Sequence, residues 1–499
     1  MGPFEILCIV VAIYIFINCY RTSKHEFWKN QGVPGPKPLL FLGNFKDILL
    51  NRLSPGEFAK NIYDEFTNES MVGVYARNTP ILIIKDAEVI KDVLIKDFNI
   101  FANRGLPVHE KIEPMSQNLV NLEPDRWRPL RKKLSPVFTS GKLREMFYLL
   151  LESSNHFEQY LEKIVPKNES IECRQLTSKF TMDVIGSCAF GIDINTLSDE
   201  KNDFTRMGRK IFDDSFRRSM RIKVRDLAPW LFKLLGPFLI DREMNDFFTN
   251  LISETMEYRK KNNVVRHDFV DLLLFMKENP DKLNDIKMTD SLLAAQAFVF
   301  FAAGFETSST TMSNALYELA LNPSIQDELR KEIENELKTS DGKLTYDGVK
   351  HMKYLHKVFQ ETLRKYPPAT LLVRKSSKKY TFSGTKVTIP KDTNVWIPVY
   401  GIHRDPKNYP DPNIFDPERF DDNEVTSRHP MVYLPFGEGP RNCIGARFAI
   451  FQTKVGLIRI LQNYKVNQCD KTPIPYINNP RAFLLAPMGG IHLKFSKVS

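Results

Sequence analysis

From Leu292 to Gly304 the chain presents apolar residues on every face of a helix. A helix without a polar face has nowhere to lie but the middle of a large core. Thr289 or Asp290 is placed to cap its start, and the pattern continues to Leu321, where Asn322-Pro323 stops it. The rest of the chain must be wrapped around this rod. Met71–Tyr75 and Pro80–Ile84 flank a polar turn and read as a hairpin, while most of the chain beyond Ile84 reads as helical. The expected fold is therefore mainly α, with a small β-sheet subdomain towards the N-terminal side.

Near its middle the apolar helix is interrupted by Ala303-Gly-Phe-Glu-Thr-Ser308. Gly304, Thr307 and Ser308 stand at i, i+3 and i+4. A glycine there lets a small molecule approach the backbone, and a hydroxyl one turn on can donate to it. The competing expectation is that the hydroxyl bonds back to the carbonyl four residues earlier.

The second constrained stretch is Phe436-Gly-Glu-Gly-Pro-Arg-Asn-Cys-Ile-Gly445. Gly437, Gly439 and Gly445 permit positive φ and keep side chains out of the way of a flat ligand. Pro440 stiffens the bend. Phe448, Phe451, Val455, Ile458 and Leu461 mark one face of a helix beginning just after Cys443, and its positive end favours a thiolate. A thiolate so held, with Arg441 beside it, suits the axial ligand of a haem iron whose propionates need a cation.

The pattern F-x-x-G-x-R-x-C-x-G resembles the haem-binding loop of the cytochrome P450 family. Ala303–Thr307 resembles that family's oxygen-activation segment (Ala/Gly-Gly-x-Asp/Glu-Thr) without departure. The resemblance spans nearly the whole chain. It implies the cytochrome P450 fold, with haem b (iron protoporphyrin IX) between the long helix and the Cys443 loop. It further implies Cys443 as metal ligand, Phe436 and Arg441 as cofactor contacts, and Gly304, Glu306 and Thr307 as the oxygen-activating group. Among family members, insect microsomal proteins that oxidise foreign compounds and plant toxins are the most similar.

Other motifs gain meaning from that resemblance. Trp127 and Arg131 are four apart and share a helical face, with Pro129 expected near the first turn. By themselves they suggest a surface pair; matched to the family they imply a haem-propionate contact. Arg374, in a strand-like stretch after Pro367-Pro368, matches another. Glu361 and Arg364, with Arg419, are expected to form a buried structural ion network rather than a catalytic one. His403 is expected to be a satisfied turn histidine. Residues 202–252 read as amphipathic helices broken at Pro229 and Pro237, the region that in the family roofs the substrate pocket and touches the membrane.

Ile6–Ile17 is an unbroken apolar run preceded by Glu5 and followed by Arg21, Lys24, Trp28 and Lys29. These flanks predict a retained signal-anchor with the remainder on the cytoplasmic side. The expected organisation is an anchor over 1–20, a basic and Pro-rich hinge over 21–38, and one catalytic domain over 39–499. The expected location is the endoplasmic reticulum membrane. Six scattered cysteines (8, 19, 173, 188, 443 and 469) with no CxxC suggest reduced thiols rather than a disulfide framework.

A net charge of +10 without zinc-finger or RNA-binding signatures excludes a nucleic-acid reading and fits a membrane surface or an acidic protein. No Rossmann fingerprint, P-loop or flavin pattern is present, so electrons must come from another protein. The expected donor is an NADPH–cytochrome reductase, with cytochrome b5 as an additional candidate. Lys132, Lys133, Arg447 and Lys454 are candidate docking cations. The function read from these features is monooxygenation of lipophilic small molecules. The rival readings are a haem-thiolate isomerase or dehydratase working without O2, and a non-catalytic haem sensor.

Overall fold

The computed structural model describes Glu5 and residues 25–198, 202–279 and 288–498. The expected anchor lies, Glu5 apart, outside the described residues. The chain falls into two interleaved compact units, the first made of 1–105, 370–408 and 429–441, the second of 106–369, 409–428 and 442–499. Such interleaving explains why no linker is visible in the sequence.

The first unit is built on a four-stranded sheet of order β1-β2-β7-β4, with β1 Met71–Ala76, β2 Thr79–Ile84, β4 Leu372–Lys375 and β7 Asn394–Ile397. The predicted hairpin is present, with Met71 opposite Ile84 and Ala76 opposite Thr79. Strand β7 adds parallel to β2, and β4 antiparallel to β7. Helix α1 (Pro55–Glu65) begins with a complete capping box between Ser54 and Glu57. It packs Phe58, Ala59 and Ile62 onto Val72, Val74, Ile81, Ile83 and Trp396 of the sheet. The other face of β1 is covered by Trp28. An added Cβ at Gly73 would sit 2.2 Å from its ring, and its Nε1 donates to the Val74 carbonyl at 3.1 Å. A two-stranded pair, β5 (Tyr380–Thr381) and β6 (Thr388–Ile389), completes the β-structure of this unit.

The second unit is organised around α4 (Asp290–Leu321). Thr289 caps it, accepting from the Leu292 N–H at 3.1 Å, and Asn322 closes it before Pro323. Helix α4 has the length and apolar composition of a membrane span, yet most of it is buried inside the protein. Its principal neighbours are α3 (Cys173–Ile185), the helix Arg242–Asn262 and α6 (Ala446–Leu461). Strands β3 (Ile171–Glu172), β8 (Tyr464–Asn467) and β9 (His492–Lys497) form a small sheet of order β3-β9-β8.

Two local expectations are corrected. Helix α2 runs Pro124–Leu134, so Pro124 takes the first-turn position and Pro129 falls in the interior. The helix starts one turn earlier than Trp127 because Pro124 is pre-set for a first position, and Pro129 therefore costs one intrahelical bond. Helix α6 is not amphipathic over its length: every residue from Phe451 to Ile458 is buried, including Gln452, Thr453 and Lys454. Between Asn202 and Ile252 the chain does break at both predicted prolines, giving helices Asp203–Ile211, Phe216–Leu227, Pro229–Leu234, Gly236–Leu239 and the start of Arg242–Asn262.

Candidate haem-thiolate site

Four cysteines are described, all as free thiols: Cys173 and Cys188 are buried, Cys469 is half-buried and Cys443 is exposed. Burial pushes the Cys173 and Cys188 thiols up, which suits inert packing. Cys443 lies two residues before Gly445, the residue preceding α6, and Gly445 gives that helix no side-chain cap. The first N–H groups of α6 therefore keep their positive end for an anion. In the same unit, Arg131 of α2 donates through both Nη atoms to Asn442, at 3.1 Å to its carbonyl and 3.0 Å to its Oδ1. Burial lowers the pKa of Arg131, and the Cys443 charge opposes that. Trp127, one turn before Arg131, is 4% exposed. Lys132 and Arg447 lie exposed and Lys133 half-buried. Lys454 is removed from the docking surface: it is 3% exposed, its Nζ donates to the Val349 and Met352 carbonyls, and burial pulls its pKa down to about 8.

The three glycines of the loop differ in what they do. Gly439 has φ +76° and an added Cβ would lie 1.9 Å from the Leu94 carbonyl oxygen, so both conformation and space demand glycine. Gly437 has φ +67° with only Leu372 methyls at 3.7 Å, so conformation alone demands it. Gly445 has φ −94°, contrary to the expectation of a positive φ. A Cβ there would meet nothing closer than Phe138 at 3.9 Å. Its bareness leaves room rather than permitting a turn.

In α4 the glycine has a packing role beside the one expected of it. An added Cβ at Gly304 would lie 2.3 Å from Ile185 Cδ1. The residue is small so that α3 can approach α4. What stays open is the face of Val299, Ala303 and Thr307, spaced four apart: Ala303 is exposed in a helix whose Phe301 and Phe305 neighbours are buried. Thr307 Oγ1 donates to the Ala303 carbonyl at 2.7 Å, and Ser308 Oγ is buried without a partner. Glu306 points into the protein, 3% exposed, where Arg174 Nε of α3 donates to it at 2.5 Å. Burial pushes the Glu306 carboxyl up and Arg174 pulls against it.

In the first unit Arg374 and Arg441 are both 2% exposed. Arg374 Nη1 donates to the Val373 carbonyl at 2.9 Å, but its Nε is buried with no partner. Burial, then the like charge of Arg104, drags its pKa down to about 9. A buried guanidinium pressed by another cation is a site waiting for an anion. Arg104 itself donates to the Arg441 carbonyl at 2.8 Å, and Arg441 donates to the Ala102 carbonyl. Phe436 is half-buried. Arg104, Arg174 and Asn442 are the participants that sequence reasoning missed; only Asn442 carried a signal, through its place inside the loop.

Two further expectations concern structural groups. Glu361 and Arg364 of α5 (Lys353–Lys365) are fully buried and paired at 2.6 Å, with Arg419 Nε at 3.7 Å from Glu361. His403 is buried, and its Nε2 accepts from the Leu434 N–H at 2.8 Å, whereas no hydrogen bond satisfies its buried Nδ1, so the ring is satisfied on one side rather than both.

These residues fit a haem. Within the second unit an exposed thiol sits before an uncapped helix start and an open apolar face runs along a core helix; within the first, taken by itself, a buried arginine has an unused donor that suits an anion. The family model described as "Cytochrome P450" matches residues 33–495. The chain is similar to cytochrome P450 6B2 of Helicoverpa armigera, 39% identical over 98% of this chain and 97% of that one. It is equally similar to cytochrome P450 6k1 of Blattella germanica, 39% identical over 99% and 97%. A probable cytochrome P450 6a20 of Drosophila melanogaster is 40% identical over 99% of each.

Proposed function

Because this chain belongs to the cytochrome P450 family, we propose that it is a membrane-bound haem-thiolate monooxygenase of lipophilic small molecules, with Cys443 as its iron ligand. The reaction class is R–H + O2 + NADPH + H+ giving R–OH, water and NADP+. Bound haem supplies the activation of O2 and the transfer of one oxygen atom, and a thiolate ligand favours O–O cleavage. The single observation that carries the assignment is Cys443: the exposed thiol beside the half-buried Arg131 and the uncapped start of α6.

The roles of the chain's own residues follow from their surroundings. Arg131 steadies the loop carbonyl next to the ligand and screens its negative charge. Trp127, Arg131, Arg374 and Arg441 are the donors for the propionates, and Phe436 packs on the thiolate side. The open face at Val299, Ala303 and Thr307 excludes water with apolar groups and offers one hydroxyl. Thr307 can turn its proton from the Ala303 carbonyl towards that face, placing a donor at one defined atom. Glu306 is the acid behind it, held in reserve by Arg174 until that pair opens. Gly304 serves by letting α3 and α4 meet.

Two electrons per turnover come from a separate NADPH-dependent reductase, for which Lys132, Lys133 and Arg447 supply positive charge near the thiolate loop. The apolar run 6–17 holds the chain in the endoplasmic reticulum membrane, with the catalytic part facing the cytoplasm. Foreign compounds and plant toxins are the substrates favoured over hormones, on the resemblance of the sequence motifs to insect microsomal members of the family.

The test is spectroscopic and catalytic together. The reduced carbon monoxide complex should show a strongly red-shifted Soret band that Cys443→Ala abolishes. Membranes carrying the protein with reductase and NADPH should convert members of a panel of lipophilic compounds to products heavier by one oxygen. Retention of the band in Cys443→Ala would remove the thiolate assignment.

A further inference from the structure

Ten residues beyond Thr307, about 15 Å further along α4, stands Tyr317. Its ring centroid lies 5.6 Å from that of Tyr476 and 6.4 Å from that of Tyr366. Tyr366, the residue after α5, is 4.9 Å from Tyr476 and closes the triangle. Tyr317 and Tyr366 are 3% and 4% exposed, whereas Tyr476 is half-buried and flanked by Ile474 and Ile477, both exposed. The cluster therefore runs from the core helix to the surface of the second unit.

Phenylalanine would fill this space as well and bring no hydroxyl to satisfy. The chain has 36 Phe against 17 Tyr, and the first half of α4 is packed with Phe298, Phe300, Phe301 and Phe305. Three tyrosines together in such a core need another reason. Tyr366 Oη donates to Glu318 Oε1 at 2.5 Å, and Lys365 Nζ lies 2.7 Å from the same oxygen. Glu318 is 1% exposed, so its carboxylate serves only this group. Tyr317 Oη donates to the Pro473 carbonyl at 2.9 Å. Burial, then the Glu318 charge, pushes the Tyr317 phenol up to about 12, so it is neutral at rest. A phenol that loses an electron becomes a strong acid, and a carboxylate on its hydroxyl gives that proton a place to go. Phenylalanine offers neither the electron nor the proton.

We propose that Tyr317, Tyr366 and Tyr476 form a one-electron relay that drains oxidising equivalents from the haem side when no substrate consumes them, and hands them to a soluble thiol. The inference rests on the haem-thiolate reading and adds a protective activity to it. Tyr366 gives up one electron by way of Tyr317 and passes its proton to Glu318. Tyr476 then returns an electron to Tyr366, the proton comes back from Glu318, and Tyr476 releases its own proton to water. A thiol restores the Tyr476 phenol by giving up a hydrogen atom, and two thiyl radicals join as a disulfide. In sum one electron reaches the haem side for each thiol oxidised, one proton is released, and the tyrosines are unchanged.

The test uses the full-length haem-loaded protein without substrate, mixed with m-chloroperbenzoic acid and a nitroso spin trap. Trap adducts are located by peptide mass spectrometry, and haem loss is followed by absorbance. In the parent the adduct should sit on Tyr476 and be suppressed by glutathione. Tyr366→Phe keeps the ring and should cut labelling of Tyr476 several-fold. Tyr476→Phe, at a half-buried position that leaves the Glu318 pair intact, should bleach its haem several-fold faster than the parent. Adducts confined to other residues, or labelling and bleaching unchanged by these variants, would overturn the relay alone. A parent without the red-shifted carbon monoxide band would overturn the haem-thiolate reading, and the relay with it.

Discussion

Thr307 is the residue at which the sequence left two outcomes open, and in the structure its hydroxyl donates to the Ala303 carbonyl. That bond is worth about 1 kcal/mol, so it is cheap to break when a better acceptor arrives on the open face. Thr307→Ala should keep haem content and reducibility, yet the product formed per NADPH consumed should fall several-fold with hydrogen peroxide rising to match. Unchanged coupling and unchanged peroxide would confine Thr307 to the helix. Arg374 presents the opposite situation, a buried donor with too little to bind. A charge-assisted bond is worth about 1.5–3 kcal/mol. Arg374→Met should therefore release haem to excess apomyoglobin roughly ten- to a hundredfold faster. An unaltered transfer rate would make Arg374 a structural cation.

At the level of elements, α5 and α6 carry polar groups inside a helical core. Glu361 is the shared anion of Arg364 and Arg419, so that cluster is stable only as a set. His356 of α5 has no such partner. Its Nδ1 is buried and unbonded, its ring stacks on Phe359, and burial with the nearby Lys454 cation holds its pKa down to about 4. The unfolded chain takes up this proton below about pH 6.5 while the folded chain resists it until about pH 4. Stability supplied by His356 is thus complete above the upper value and drains away as pH falls towards the lower one, by up to about 3 kcal/mol. His356→Leu should flatten that limb in urea-unfolding midpoints measured across this window. An equally steep limb in the variant would place the acid sensitivity elsewhere.

For the whole molecule the governing fact is that the chain re-enters each unit twice. Residues 370–408 and 429–441 return to the sheet unit begun at the N-terminus, and 442–499 return to the helical one. Truncation at the N-terminus tests how far the anchor is separable. Removing residues 1–20 leaves His25, Trp28 and their bonds to β1 intact. The truncated protein should keep its red-shifted carbon monoxide band, while its retention in alkaline-washed membranes should be lost. Failure to incorporate haem after this truncation would show that anchor and catalytic part fold together.

The sequence by itself determined the features that depend on local pattern. Helix α4 follows from its apolar faces, its Thr289 cap and its proline stop. The β1–β2 hairpin follows from two apolar runs around a polar turn. The Cys443 loop was legible because three glycines, a proline, an arginine and a cysteine at fixed spacing have few uses together. Only the tertiary structure decided what each residue meets across the fold. Gly304 is small because Ile185 of α3 packs there, Lys454 is spent on the carbonyls of Val349 and Met352, and Glu306 is held by Arg174. Those partners lie about a hundred or more residues away. Spacing along a chain says which residues share a helical face. It does not say which distant backbone that face will touch, because such contacts are fixed by packing the whole core at once.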